Sequence, residues 1–475
     1  MSRRVLLYEL NEVPWHVVDF YVSQRPASSL ARVLQGGLSI TTVCEDPEPL
    51  QPWRTWPTFH ESLYTAGHGS YDLGQDPETF LGDPIWNVAD RAGKVVGIFG
   101  PMQSWPARPF RNGGFYIPDT FARSPETYPA SLERFQSFNL AMTKENTFNP
   151  EGNISVGKLA QVGVDLLRLG LGARSGATIL RHLIAELRDD RHRAGRSIMQ
   201  VVPSFDLFWQ LQARHEPDLS IFFSNHVAGM MHRYWGDGIP GYTSSKAFKP
   251  DPVYARFVLQ AMDIFDRQLR GMLLWMQHRP DVLIIIASSM GQFAIDKEDI
   301  DETFVLDDPA RLSAALGIDA EVGSAMYPRT TLQFRSSDSA RDAIARLGSV
   351  RTQQGALFND IRVVGKTISF AIDQSGWGRP RTKLIRYLPG NSIVLEGTID
   401  ELGVSIRRRM GGGNTAYHVP EGIFIATGEG VREDARRELV SVLDTAPSIL
   451  KAIGVPPAAS YQGVASIEIC KSEQH

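Results

Sequence analysis

Six consecutive residues, Val282-Leu283-Ile284-Ile285-Ile286-Ala287, carry no polar side chain. A strand with one wet face alternates polar and apolar residues. A run without alternation has to be covered on both sides, as a central strand of a parallel sheet is. Less uniformly apolar runs at 5–10, 38–43, 94–99, 219–223 and 422–426 are separated by helical patterns at 17–34, 85–92 and 252–276. Strand and helix in alternation predict an α/β chain with a mainly parallel central sheet flanked by helices.

Two stretches break that rhythm. Residues 151–215 read as a helical insertion, with amphipathic helices at 156–171 and 177–187 before a charged cluster at 188–193. It serves as a cap over the sheet or as a homo-oligomer face, or it is a plain structural helix pair. Residues 301–410 mix short strands (330–334, 368–372, 392–395) with turn residues and a basic stretch at 379–386, and read as a smaller α+β cap insertion. The core is then 1–150, 216–300 and 411–475, well within what 475 residues can bury around one sheet.

Composition removes several function classes. A net charge of −4 gives no basic footprint for a nucleic-acid polymer. Cys44 and Cys470 make neither a disulfide framework nor a thiolate metal site. The apolar run after Met1-Ser2-Arg3-Arg4 is too short for a secretion signal, and no stretch reaches the ~18 apolar residues of a membrane span. These features predict a cytoplasmic protein without a membrane span, and leave peripheral membrane contact open.

The most reactive-looking stretch is Pro52-Trp53-Arg54-Thr55-Trp56-Pro57-Thr58-Phe59-His60, which follows a polar, proline-rich loop and leads into a run at 59–65 able to start a helix. A hydroxyl at a loop-to-helix junction faces free backbone N–H groups, a place that suits an attacked anionic group. The plainer reading makes Thr55 an N-cap ahead of a helix-starting Pro57.

Further motifs weigh on that choice. His418-Val419-Pro420-Glu421-Gly422 before an apolar strand, then Asp444-Thr445-Ala446-Pro447 and Gly454-Val455, resemble the closing stretch of alkaline-phosphatase-superfamily proteins. Thr55-Trp56-Pro57-Thr58, with Thr65, Gly67, His68 and Gly69 downstream, resembles the nucleophile motif of the superfamily's type I phosphodiesterase and nucleotide-pyrophosphatase branch. The resemblance covers roughly 4–125, 216–298 and 414–470. It implies an alkaline-phosphatase-like fold, a threonine nucleophile, two metal ions and a small phosphate or sulfate ester as substrate.

Most ligand positions of that pattern are changed here. Asn11 stands where the resemblance implies the first aspartate, with Glu9 two residues earlier on the same strand face. Ser289 and Met290 replace an aspartate and a histidine, and Ala228 replaces another aspartate, while His232 and His418 match. A neutral amide and a thioether are poor partners for a divalent ion. The residue types leave one divalent metal, zinc or manganese, on Glu9, His232 and His418, or none; His226 offers a third imidazole. Thr55, His226 and Asn11 are the catalytic candidates, and Thr58, Asn225 and Gln292 the substrate-binding ones. Two functions follow: a hydrolase or transferase acting through Thr55, or an inactive relative of the same fold that binds an anionic ligand or protein partner.

Overall fold

The computed structural model describes residues 3–148, 170–298, 302–323, 325, 329–351, 355–373, 384–386, 395–408 and 412–471. The helix expected at 156–171, the strand expected at 392–395 and the basic stretch 379–386 lie wholly or mostly outside them.

The central sheet holds β1 (Arg4–Leu10), β2 (Leu38–Val43), β3 (Val96–Phe99), β4 (Gly114–Ile117), β5 (Leu219–Ser224), β6 (Val282–Ala287), β9 (Glu421–Gly428) and β10 (Asp434–Ser441). Their order is β10-β2-β9-β6-β1-β5-β3-β4. Only β9 runs antiparallel, against β2 and β6; the other neighbouring pairs are parallel. The α/β class and mainly parallel sheet expected from the sequence are therefore present.

All six residues of β6 are buried, as an unalternating apolar run requires. Ile284 and Ile286 enter one apolar layer, Leu283 and Ile285 the other. Burying each such side chain contributes ~1.5–3 kcal/mol. The first layer holds α7 (Arg196–His215), α8 (His226–Gly238) and α9 (Phe257–Met276); the second holds α3 (Pro52–Glu61), α4 (Ile85–Arg91) and α10 (Thr445–Ala452). Residues 302–408 gather a separate apolar cluster around a four-stranded antiparallel sheet, in keeping with their α+β pattern.

Two local expectations are corrected. The single helix at 17–34 is two, α1 (Trp15–Gln24) and α2 (Ser29–Gly36). Pro26 cannot extend the first, and the Ser28 hydroxyl caps the second by accepting from the Ala31 N–H at 3.1 Å. The helix around Thr55 starts at Pro52, with Gln51 at the N-cap and Pro57 in its interior. Pro52 at the first position presets the helical φ, so Thr55 lies in the first turn with its N–H on the Gln51 carbonyl, and is not a cap. The helix ends where Ser62 turns left-handed, φ 49°.

Candidate active site

The candidate residues collect at the carboxyl ends of β1, β5 and β6, where ligands bind in open α/β sheets. They form two halves joined through Asn11.

One half is charged. After β1 the chain turns sharply, and Glu12 adopts a φ of 60°, which a side chain other than glycine rarely takes. This turn aims a 2%-exposed carboxylate away from the strand face of Glu9 and Asn11. Its Oε2 lies 2.9 Å from His232 Nε2 and 3.4 Å from His418 Nε2, and also accepts from Gln292 Nε2. His232 projects from α8, and His418 from a two-stranded ribbon of β7 (Gly291–Ala294) and β8 (Ala416–Val419). The ribbon's register sets His418 opposite Gln292, so both reach Glu12 from one face. Gly291 is needed here, because a Cβ would stand 2.3 Å from the Glu421 carbonyl oxygen.

The second nitrogen of each ring fixes its orientation. His232 Nδ1 is 3.1 Å from the Ala416 carbonyl oxygen, and His418 Nδ1 is 2.8 Å from that of Leu50. Nδ1–H donation to a carbonyl turns both Nε2 atoms toward Glu12 and leaves them free to take a proton or a metal. Burial alone would raise Glu12, but the charges of His418 and His232 and their hydrogen bonds outweigh it and hold its carboxyl well below the usual range. Burial alone would lower His418; the Glu12 charge and hydrogen bond raise it instead. One ligand atom from each of Glu12, His232 and His418 lies within 4.8 Å of the others. Two imidazoles and a carboxylate make a known zinc donor set.

The other half is neutral. Thr55, Ser289 and Met290 are all fully buried, and Thr55 Oγ1 is 2.8 Å from Ser289 Oγ. That hydroxyl pair stands where the resemblance implies a nucleophile beside a metal-binding aspartate. Asn11 bridges the halves: its Oδ1 accepts from the Trp56 indole at 2.7 Å, and its Nδ2 donates to Glu12 at 2.9 Å and to Asn225 at 2.7 Å.

The remaining candidates are placed as follows. Glu9 does not join His232 and His418; its Oε1 lies 2.5 Å from His60 Nε2 within the core. Thr58 is buried, its hydroxyl bonded to the Asp46 carboxylate. Gln292 is held between Glu12 and the Ala228 carbonyl. His226 has both ring nitrogens occupied, Nδ1 by the Ser224 hydroxyl at 2.5 Å and Nε2 by the Ala261 carbonyl at 3.0 Å, and burial pushes it down to about 4. Strand alternation made Glu9 the visible partner for Asn11; Glu12, next in the chain, gave no such signal because only its left-handed turn brings it to the histidines.

A cavity of about 280 Å³ opens beside Asn11, Asn225 and His226. The other wall comes from α7, through Ser197 and Gln200, and from α5 (Glu133–Phe148), through Asn139. Asn139 is 4% exposed, and its amide has no hydrogen-bond partner among the described residues. Among the described residues no lysine or arginine lines the space, and the one carboxyl that does, Asp119, is raised by burial to about 6.

No protein-family model matches the sequence, and no curated protein does. Among solved structures the chain is similar to mouse ectonucleotide pyrophosphatase/phosphodiesterase 5, in an inactive form in complex with AMP, at 11% identity over 96% of each chain with a TM-score of 0.42. The human counterpart gives 12% identity over 97% of each chain and a TM-score of 0.43. At these values the likeness says nothing of what this chain binds or does.

Proposed function

We propose that this protein is a hydrolase or transferase for a phosphate or sulfate ester, with one divalent ion, zinc or manganese, held by Glu12, His232 and His418. The observation that carries the reading is the convergence of those three side chains, with both histidines oriented through Nδ1 by backbone carbonyls. A divalent ion bound there would draw in and neutralise an anionic oxygen of the ester. Asn11, fixed by the Trp56 indole, steadies Glu12 and ties it to Asn225 at the cavity edge. The uncharged amides and hydroxyls of Asn139, Ser197 and Gln200 suit the hydroxyl-bearing, uncharged part of the ester. Thr55 is the hydroxyl assigned to attack, its proton passing to the departing ester oxygen as that bond breaks, and Ser289 positions it through a 2.8 Å hydrogen bond.

A second reading, binding without turnover, is favoured by Thr55 itself. It has no exposed surface, and among the described residues no base or cation hydrogen-bonds it, whereas an attacking hydroxyl needs one or the other. Hydrolysis assays separate the two, using a nitrophenyl phosphodiester and monoester with metal-loaded wild type, Thr55→Ala and His418→Ala. Turnover by wild type that falls about 100-fold or more in both variants supports the enzyme. Calorimetric binding of a phosphate ester without wild-type turnover establishes the second reading.

A further inference from the structure

The helix α6 (Ala173–Arg188) packs Ile179 against the core yet leaves other aliphatic residues in solvent. Its solvent face runs through Ala173, Arg174, Ala177, Leu180, Arg181, Ile184, Leu187 and Arg188, the three-and-four spacing of a single stripe. A surface helix ordinarily turns its aliphatic residues inward. Here Leu187 is 88% exposed, Leu180 58% and Ile184 39%. Across a groove from Arg174, Ala177 and Arg181 of the same helix, Leu274 of α9 is 53% exposed.

The same face is cationic. Arg174, Arg181 and Arg188 recur every seven residues along the stripe, and Arg267 and Arg270 project from α9 next to Leu274. None of the five has an ion-pair or hydrogen-bond partner for its side chain among the described residues. The groove's carboxylate, Asp206, accepts from the Gly172 N–H at 2.8 Å. This concentration of positive charge stands on a chain whose net charge is −4.

We propose that the α6–α9 face docks on an anionic phospholipid surface, with Leu180, Ile184 and Leu187 entering the headgroup boundary and the five arginines meeting lipid phosphates. Aliphatic residues interleaved with arginine on one exposed helix face are the pattern of interfacial helices. Arginine forks match phosphate oxygens. A second copy of the chain is the poorer occupant, because a symmetric contact would bring five unpaired cations against five more.

The test is co-sedimentation of the full chain with vesicles of phosphatidylcholine, with and without phosphatidylglycerol, at low and high salt. Binding to the anionic vesicles alone, weakened by salt, is expected. Arg174→Gln, Arg181→Gln, Arg267→Gln and Arg270→Gln should each lower partitioning about fivefold. Leu180→Gln with Leu187→Gln should weaken binding at constant charge. All these positions are exposed, so unchanged circular dichroism will show the fold intact. Equal binding to both vesicle types, binding that ignores these substitutions, or binding to polyglutamate but to neither vesicle would overturn the proposal.

Discussion

The two halves of the strand-end site differ in charge rather than position. Around Glu12, the carboxylate, two imidazoles and an amide converge on one point, and His232 keeps a 22%-exposed side chain toward solvent. Around Thr55, two hydroxyls and a neighbouring thioether have no exposed surface, and the hydroxyls have no ionisable hydrogen-bond partner among the described residues. The same strand ends thus hold a packed, neutral hydroxyl pair beside a charged cluster. Ser289 satisfies Thr55 as a hydrogen-bonding partner, but neither can supply the charge a divalent ion requires. Glu12, from a backbone position that costs strain, gives the other half a charge of its own.

The largest expected effect of breaking this contrast is on metal affinity. Glu12→Gln keeps the shape and removes the charge, and should weaken zinc binding at least 10–100-fold in a chelator competition. Thr55→Val should leave metal content unchanged. It strands the Ser289 hydroxyl in a buried site, however, and should lower unfolding stability by ~1–3 kcal/mol in denaturant titration. An equal loss of metal in both variants would erase the distinction between the halves.

The smallest expected effect lies on the pH axis of the metal-free protein. His418 is raised, so its contribution to stability is full below its ordinary value near 6.5 and is lost as pH rises through the folded value. Glu12 is depressed, so its contribution is present above its ordinary value near 4.5 and is lost as pH falls through the folded value. Thermal unfolding of wild type should therefore show a stability component between those limits that Glu12→Gln lacks. The Thr55 half, without an ionisable group, adds nothing to that profile.

Much of the fold was legible in the sequence, because an apolar run such as 282–287 has few ways to be covered. The single helix at 17–34 failed at Pro26, and the helix around Thr55 was misplaced because Pro57, a plausible start, is tolerated inside it. In the site, His232 and His418 stood out through their motif neighbours, and the structure brings them together. Glu9 was selected by strand alternation, which does place it on the face of Asn11; His60, arriving from α3, takes its carboxylate instead. Glu12 was not legible, since its direction is set by one backbone angle that no periodicity encodes.

The central claim is a single metal centre on the charged half. Metal content by mass spectrometry, on protein purified without a metal-binding tag, tests it most directly in wild type, His232→Ala and His418→Ala. The expected result is about one zinc or manganese per wild-type chain and none in either variant. Two ions per wild-type chain, none at all, or one retained in both variants would contradict it.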